Sequence, residues 1–164
     1  RKPRDYYPTP IEAVKPLLVH LPDKFTFAEP CAGDGRLINH LTENGGEVRY
    51  AYDIEPQSDW VKEGDALFQG YTQCDYIITN PPWNRKILHP MIDHFIDFKP
   101  TWLLFDSDWM HTKQSIPYMK YLSKVVSIGR VKWIEGSSSV GKDNCCWYLF
   151  ERDSLYPTRF FGRT

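Results

Sequence analysis

An asparagine, two prolines and a tryptophan follow directly on an apolar, strand-like run at Tyr76-Ile77-Ile78-Thr79-Asn80-Pro81-Pro82-Trp83. Strand propensity stops at that point. Consecutive prolines fix two φ angles and remove two backbone donors, so the carbonyls of Asn80 and Pro81 can turn outward with no ladder to satisfy. The Asn80 side-chain oxygen and the Pro81 carbonyl then make a rigid pair of acceptors for the two hydrogens of an exocyclic amine. Trp83 offers a flat face on which a planar base can stack. Asn80, Pro81, Pro82 and Trp83 are therefore the candidate catalytic corner, and the chemistry is that of an NH2 group. The plainer alternative is that Pro-Pro ends a strand and Trp83 packs in a core.

Such a corner needs a second reactant, and an upstream element can hold one. Phe25-Thr26-Phe27-Ala28-Glu29 alternates as a strand, and Pro30-Cys31-Ala32-Gly33-Asp34-Gly35 turns into a helical pattern at Leu37, Ile38 and Leu41. Gly33 and Gly35 allow a ligand close to the backbone, and the amides of the new helix point at it. The third glycine of a dinucleotide fingerprint is missing and Glu29 precedes the loop, so a pyrophosphate would be repelled. An acidic mouth suits S-adenosylmethionine, which carries an ammonium, a sulfonium and an adenosine. A second alternating strand from Glu47 ends at Asp53, whose carboxylate can accept both ribose hydroxyls, with Ile54 able to cover the adenine. In Gly64-Asp65-Ala66, Asp65 can accept from the adenine amine, or the tripeptide is a surface turn.

The series E-P-x-x-G-x-G, acidic strand end, G-D-A and N-P-P-W resembles the class I S-adenosylmethionine-dependent amino-methyltransferases, and within them the small phage-type N6-adenine DNA methyltransferases. Tyr6-Tyr7-Pro8-Thr9-Pro10 is similar to the aromatic-x-T-P element that these enzymes place beside the methionine end of the cofactor, in a gamma-like motif order. The resemblance covers most of residues 6 to 106. It implies an α/β, Rossmann-like fold with a mostly parallel seven-stranded sheet flanked by helices. It also implies S-adenosylmethionine as cofactor and N6 of adenine in DNA as acceptor, in the cytoplasm of a bacterial or phage-infected cell. The cofactor set carried over is Tyr7, Thr9, Pro10, Glu29, Pro30, Cys31, Ala32, Gly33, Gly35, Asp53, Ile54, Asp65, Ala66 and Asn80. Trp83 departs from the family's usual Tyr or Phe. Related corners also serve guanine N2 in RNA, a protein glutamine amide or N4 of cytosine. A non-catalytic subunit that binds the cofactor is a further alternative.

The length of 164 residues reads as one methyltransferase domain, 1–164, without a separate target-recognition domain, so a homodimer or a protein partner is left to help with recognition. A content of 41% hydrophobic and 15% aromatic residues suffices for a core, and no apolar run approaches membrane-helix length. Cys31, Cys74, Cys145 and Cys146 and the five histidines show no metal-ligand spacing, so no metal is expected. Net charge is −1, so attraction to nucleic acid must be local. Candidate patches are Arg1, Lys2 and Arg4; Arg85 and Lys86; and Lys113, Lys120, Lys124, Arg130 and Lys132. The Arg85-Lys86 pair follows the corner and is placed to meet phosphates beside an extruded base.

Thr9 reads as the cap of a first helix with Pro10 at its first position, and Ile87 to Phe98 as a helix with one buried face. Thr101 to Asp106 is a strand, and Trp109 lies in the following loop as a substrate contact or a hydrophobic plug. Further strands are expected at Lys124 to Ile128, Arg130 to Ile134 and Asn144 to Phe150. The glycine- and serine-rich loop Gly136 to Gly141 reads as a lid or a hairpin connection, and the tail from Ser154 shows no periodicity.

Overall fold

Phe25 and Phe27 face one side of β1 (Phe25–Glu29) and Ala28 the other, and this alternation sets the plan of the molecule, a sheet buried on both faces. The computed structural model describes residues 7–134, 136 and 140–164. Tyr6, the Arg1, Lys2 and Arg4 patch and Ser137 to Ser139 of the glycine- and serine-rich loop lie outside the described residues.

The remaining elements are α1 (Ile11–Leu18), α2 (Arg36–Thr42), β2 (Gly46–Asp53), β3 (Lys62–Glu63), β4 (Tyr76–Thr79), α3 (Arg85–Ile96), β5 (Thr101–Asp106), β6 (Leu122–Arg130), β7 (Asn144–Phe150) and β8 (Arg159–Phe161). They form one sheet in the order β3-β2-β1-β4-β5-β7-β6-β8. Among the described residues only the β5–β7 and β7–β6 pairings are antiparallel, so β6 runs parallel to β1, β4 and β5. The fold is the expected mostly parallel α/β sheet, with eight strands in place of seven. The unforeseen strand is β8, which pairs in parallel with β6 and sets Phe161 edge-on to His20 at 4.5 Å. The segment expected as a strand from Arg130 to Ile134 is irregular beyond Arg130, and β6 instead extends back to Leu122.

One core packs α1 and α2 on the sheet through Val14, Leu17, Ile38, Trp102 and Trp147, and the indole of Trp147 donates to the carbonyl of Ala13 at 2.7 Å. The other packs α3 through Leu88, Ile92 and Phe95 against Ile77, Phe105 and Tyr148. Between α2 and β2 the chain reverses at Gly45, where φ is +97° and an added Cβ would lie 1.9 Å from the Asp23 carbonyl oxygen. Backbone cannot yield as a flexible side chain can. Gly45→Ala is therefore expected to cost roughly 2–5 kcal/mol, from about 1–2 of left-handed strain and about 1–3 of overpacking. Chemical denaturation would read this as a lower midpoint at unchanged slope. An unshifted midpoint would contradict it.

Candidate active site

The chain winds from β1 outward to β2 and β3, then returns to the other side of β1 with β4 and β5. Strand order reverses between β1 and β4, and the crevice outside their carboxyl ends is where open α/β sheets hold ligands. The glycine turn after Glu29 and the Asn80 corner after Thr79 both open there. Gly33 and Gly35 adopt left-handed φ values of +56° and +86°. The Asp53 carboxylate ties the glycine turn to β2, accepting from the amide of Gly33 at 2.9 Å and from that of Glu55 at 2.8 Å. Trp60 lies across Gly35, where a Cβ would sit 2.1 Å from its ring, and the half-exposed indole walls the turn; Ile54, next after β2, is exposed. Sequence reasoning missed Trp60, because only the fold brings this loop tryptophan over that glycine.

Glu29 is 2% exposed and accepts from the amide of Cys31 at 2.9 Å. Burial pushes its carboxyl up to about 8, reinforced by Asp53, against the opposing pull of the Thr79 hydroxyl and the Cys31 amide. The Thr79 hydroxyl stands close enough to favour the ionised carboxyl, yet it closes no hydrogen bond of good geometry and is left buried without a partner. Burial likewise pushes the Cys31 thiol up, with Glu29 and Asp53 adding to the effect. Glu29, Cys31 and Thr79 thus form a buried polar cluster at the ends of β1 and β4, whose carboxyl a cation brought beside it would favour in the ionised form.

The Asn80 amide is held at both ends. Its nitrogen donates to the Thr9 hydroxyl at 3.3 Å, and its oxygen accepts from the Trp83 indole at 3.3 Å. Thr9, expected as the cap of α1, meets Asn80 instead, and Pro10 takes the cap position without a side-chain bond. The Trp83 indole also donates to the Leu104 carbonyl at 3.1 Å, so the ring is fixed on β5. Trp133 meets it edge-on at 5.8 Å, and Tyr7 stands 6.3 Å from Trp133. Tyr7, Trp83 and Trp133 form an aromatic chain beside the corner. Trp133 falls in the segment expected as a strand, and no signal in its neighbours marks it for this role.

Other expected site residues are placed differently. Arg85, expected on a phosphate, forms a bidentate pair with Asp106 at 2.8 Å and donates to the Trp83 carbonyl at 3.0 Å. It braces the corner, and Lys86 beside it stays exposed. Trp109 is wholly buried, packed on Phe105 and Tyr148 with its indole donating to His89 at 3.0 Å, the surroundings of a hydrophobic plug. Asp65 caps a short 3-10 turn by accepting from the Leu67 amide at 2.9 Å, and Ala66 beneath it is buried.

No protein-family model and no curated protein matches the chain. Solved structures do. A dimethyladenosine transferase from Plasmodium falciparum is similar over 90% of this chain and 64% of its own, with 19% identity and a TM-score of 0.62. A protein of Listeria monocytogenes described as a class I S-adenosylmethionine-dependent methyltransferase is similar over 99% of this chain and 67% of its own, with 7% identity and a TM-score of 0.63. A Vibrio vulnificus protein described as the modification subunit of a type I restriction enzyme is similar over 96% of this chain and 47% of its own, at 12% identity and a TM-score of 0.60. At such identities the likeness carries the architecture, and that architecture is the Rossmann-like fold of the class I methyltransferases.

Proposed function

We propose that the chain binds S-adenosylmethionine in the crevice between β1 and β4 and methylates the exocyclic N6 amine of adenine in DNA. The observation that carries this reading is the Asn80 amide, pinned between Thr9 and Trp83 at the end of β4, with the buried Glu29 carboxyl at the end of the neighbouring β1. In this reading Glu29 and the turn Pro30 to Gly35 take the methionine part together with Tyr7, Thr9 and Pro10. Asp53 takes the ribose, and Ile54, Trp60, Asp65 and Ala66 surround the adenine. The bound cofactor supplies a methyl group on a sulfonium.

The chain's own work is to hold and bend the acceptor. An aromatic amine has its lone pair delocalised into the ring and attacks poorly. Asn80 Oδ1 and the Pro81 carbonyl accept hydrogen bonds from its two hydrogens and stabilise the positive charge that grows on nitrogen, more in the transition state than before it, and the surplus proton of the methylated nitrogen is then lost to water. Pro82 stiffens the turn, and Trp83 and Trp133 bound the base. Alignment of two held reactants can contribute roughly 7–11 kcal/mol. An adenine acceptor accords with the name of the Plasmodium neighbour.

The test is transfer of a labelled methyl group to single- and double-stranded DNA and RNA oligonucleotides, with mass analysis of the digested nucleosides. N6-methyladenine in DNA is expected. Label found only in RNA would move the substrate, and label in no nucleic acid would remove the reading.

A further inference from the structure

Beside the crevice lies a second cavity, of about 860 Å³, between α1, α2 and the carboxyl end of β6. Because β6 is parallel to β1 and β4, this cleft opens on the same sheet edge as the Asn80 corner. Trp133 joins the two, lining the cleft and meeting the Trp83 ring. Arg130 ends β6, Lys132 follows it, and both are exposed. Arg163 reaches in from beyond β8 and lies over Gly129, where φ is +76° and a Cβ would stand 2.8 Å from the guanidinium. The glycine makes room for that cation.

Among the described residues, Arg130, Lys132 and Arg163 form no ion pair. Of the acids lining the cleft, Glu12 is engaged by Lys15 at 3.1 Å and Glu43 is exposed. In a chain of net charge −1, three such cations on one wall are a local concentration suited to a polyanion. The volume falls within the roughly 300–1,000 Å³ of small-molecule sites, room for a short run of single strand.

We propose that a single strand of nucleic acid leaves the Asn80 corner past Trp133 and lies in this cleft, its phosphates held by Arg130, Lys132 and Arg163. The proposal rests on the nucleic-acid reading above and assigns the strand its direction. Tracking a backbone with cations beside a stacking platform is the general mode of single-strand binding.

Fluorescence anisotropy of a labelled adenine-containing oligonucleotide, titrated at several salt concentrations, tests it with the full chain and with the triple variant R130A/K132A/R163A. The variant is expected to bind more weakly, and the slope of log K against log salt is expected to shrink by about 2, from roughly 0.7 for each single-strand phosphate that the variant leaves without a cation. Its cofactor affinity and melting temperature are expected to stay at wild-type values, which separates a weakened strand site from a damaged fold. An unchanged slope would overturn the proposal, as would preference for duplex or absence of salt-dependent binding by the wild type. Strand binding through these residues without methyl transfer would uphold it and remove only the proposed reaction.

Discussion

Asn80→Ala is expected to lower the rate of methyl transfer by about 10²–10³-fold, the usual loss when one preorganised polar group is taken from a developing charge. The geometry makes the result interpretable. The substitution removes the acceptor oxygen, but the Trp83 indole keeps its bond to the Leu104 carbonyl, so the stacking wall has no cause to swing away. Thr9 loses a donor yet stays buried behind Pro10. Single-turnover transfer, with cofactor affinity from calorimetry, is the measurement. A wild-type rate would remove Asn80 from the chemistry. A collapse of cofactor affinity at an unchanged rate constant would reassign it to the methionine end.

The second large effect concerns a proton. Glu29, held near 8 by burial, is mostly neutral at pH 7 before any cation arrives. A sulfonium or ammonium beside it favours the carboxylate and pulls that value down. Cofactor binding is therefore expected to release about one proton at pH 6 to 7 and none well above 8, with affinity rising about tenfold per pH unit up to that point. Calorimetry in two buffers of different ionisation enthalpy counts the proton directly. The sign for stability is the reverse of the usual carboxylate. The folded state keeps its proton up to about 8 while the unfolded chain loses it near the ordinary value of 4.5, so stability falls as pH rises through that window. Glu29→Gln is expected to abolish both the proton release and the decline, each kcal/mol recovered at pH 9 reading as about 2–4 °C. Identical pH profiles for the two proteins would show that Glu29 carries neither effect.

Much of this site was legible because its parts are punctuated by proline, which restricts the backbone, and by glycine, which frees it for left-handed turns. The two prolines stop β4, the two glycines permit the turn after β1, and β4, β5 and β7 read as strands over their observed bounds. The illegible parts depend on partners far away in the chain. Arg85 finds Asp106, 21 residues on, and nothing near Arg85 announces that pair. Trp109 and Trp133 both follow strands, and only the packing of Phe105 and Tyr148 sends the first inward while the second faces the cleft. The three-residue β8 gains its regularity from β6, so no periodic pattern of its own was there to be found.

The adjacent thiols of β7 have a practical meaning. Cys145 belongs to the core under α1 and α2, Cys146 to the core under α3, and each is screened from solvent by a different layer. Burial pushes both thiols up, to about 12 and about 11, so alkylating reagents meet them only when a layer lifts. One native dipeptide thus carries a separate chemical reporter for each side of the molecule. Timed labelling followed by peptide mass would tell whether the two sides come apart together or one after the other.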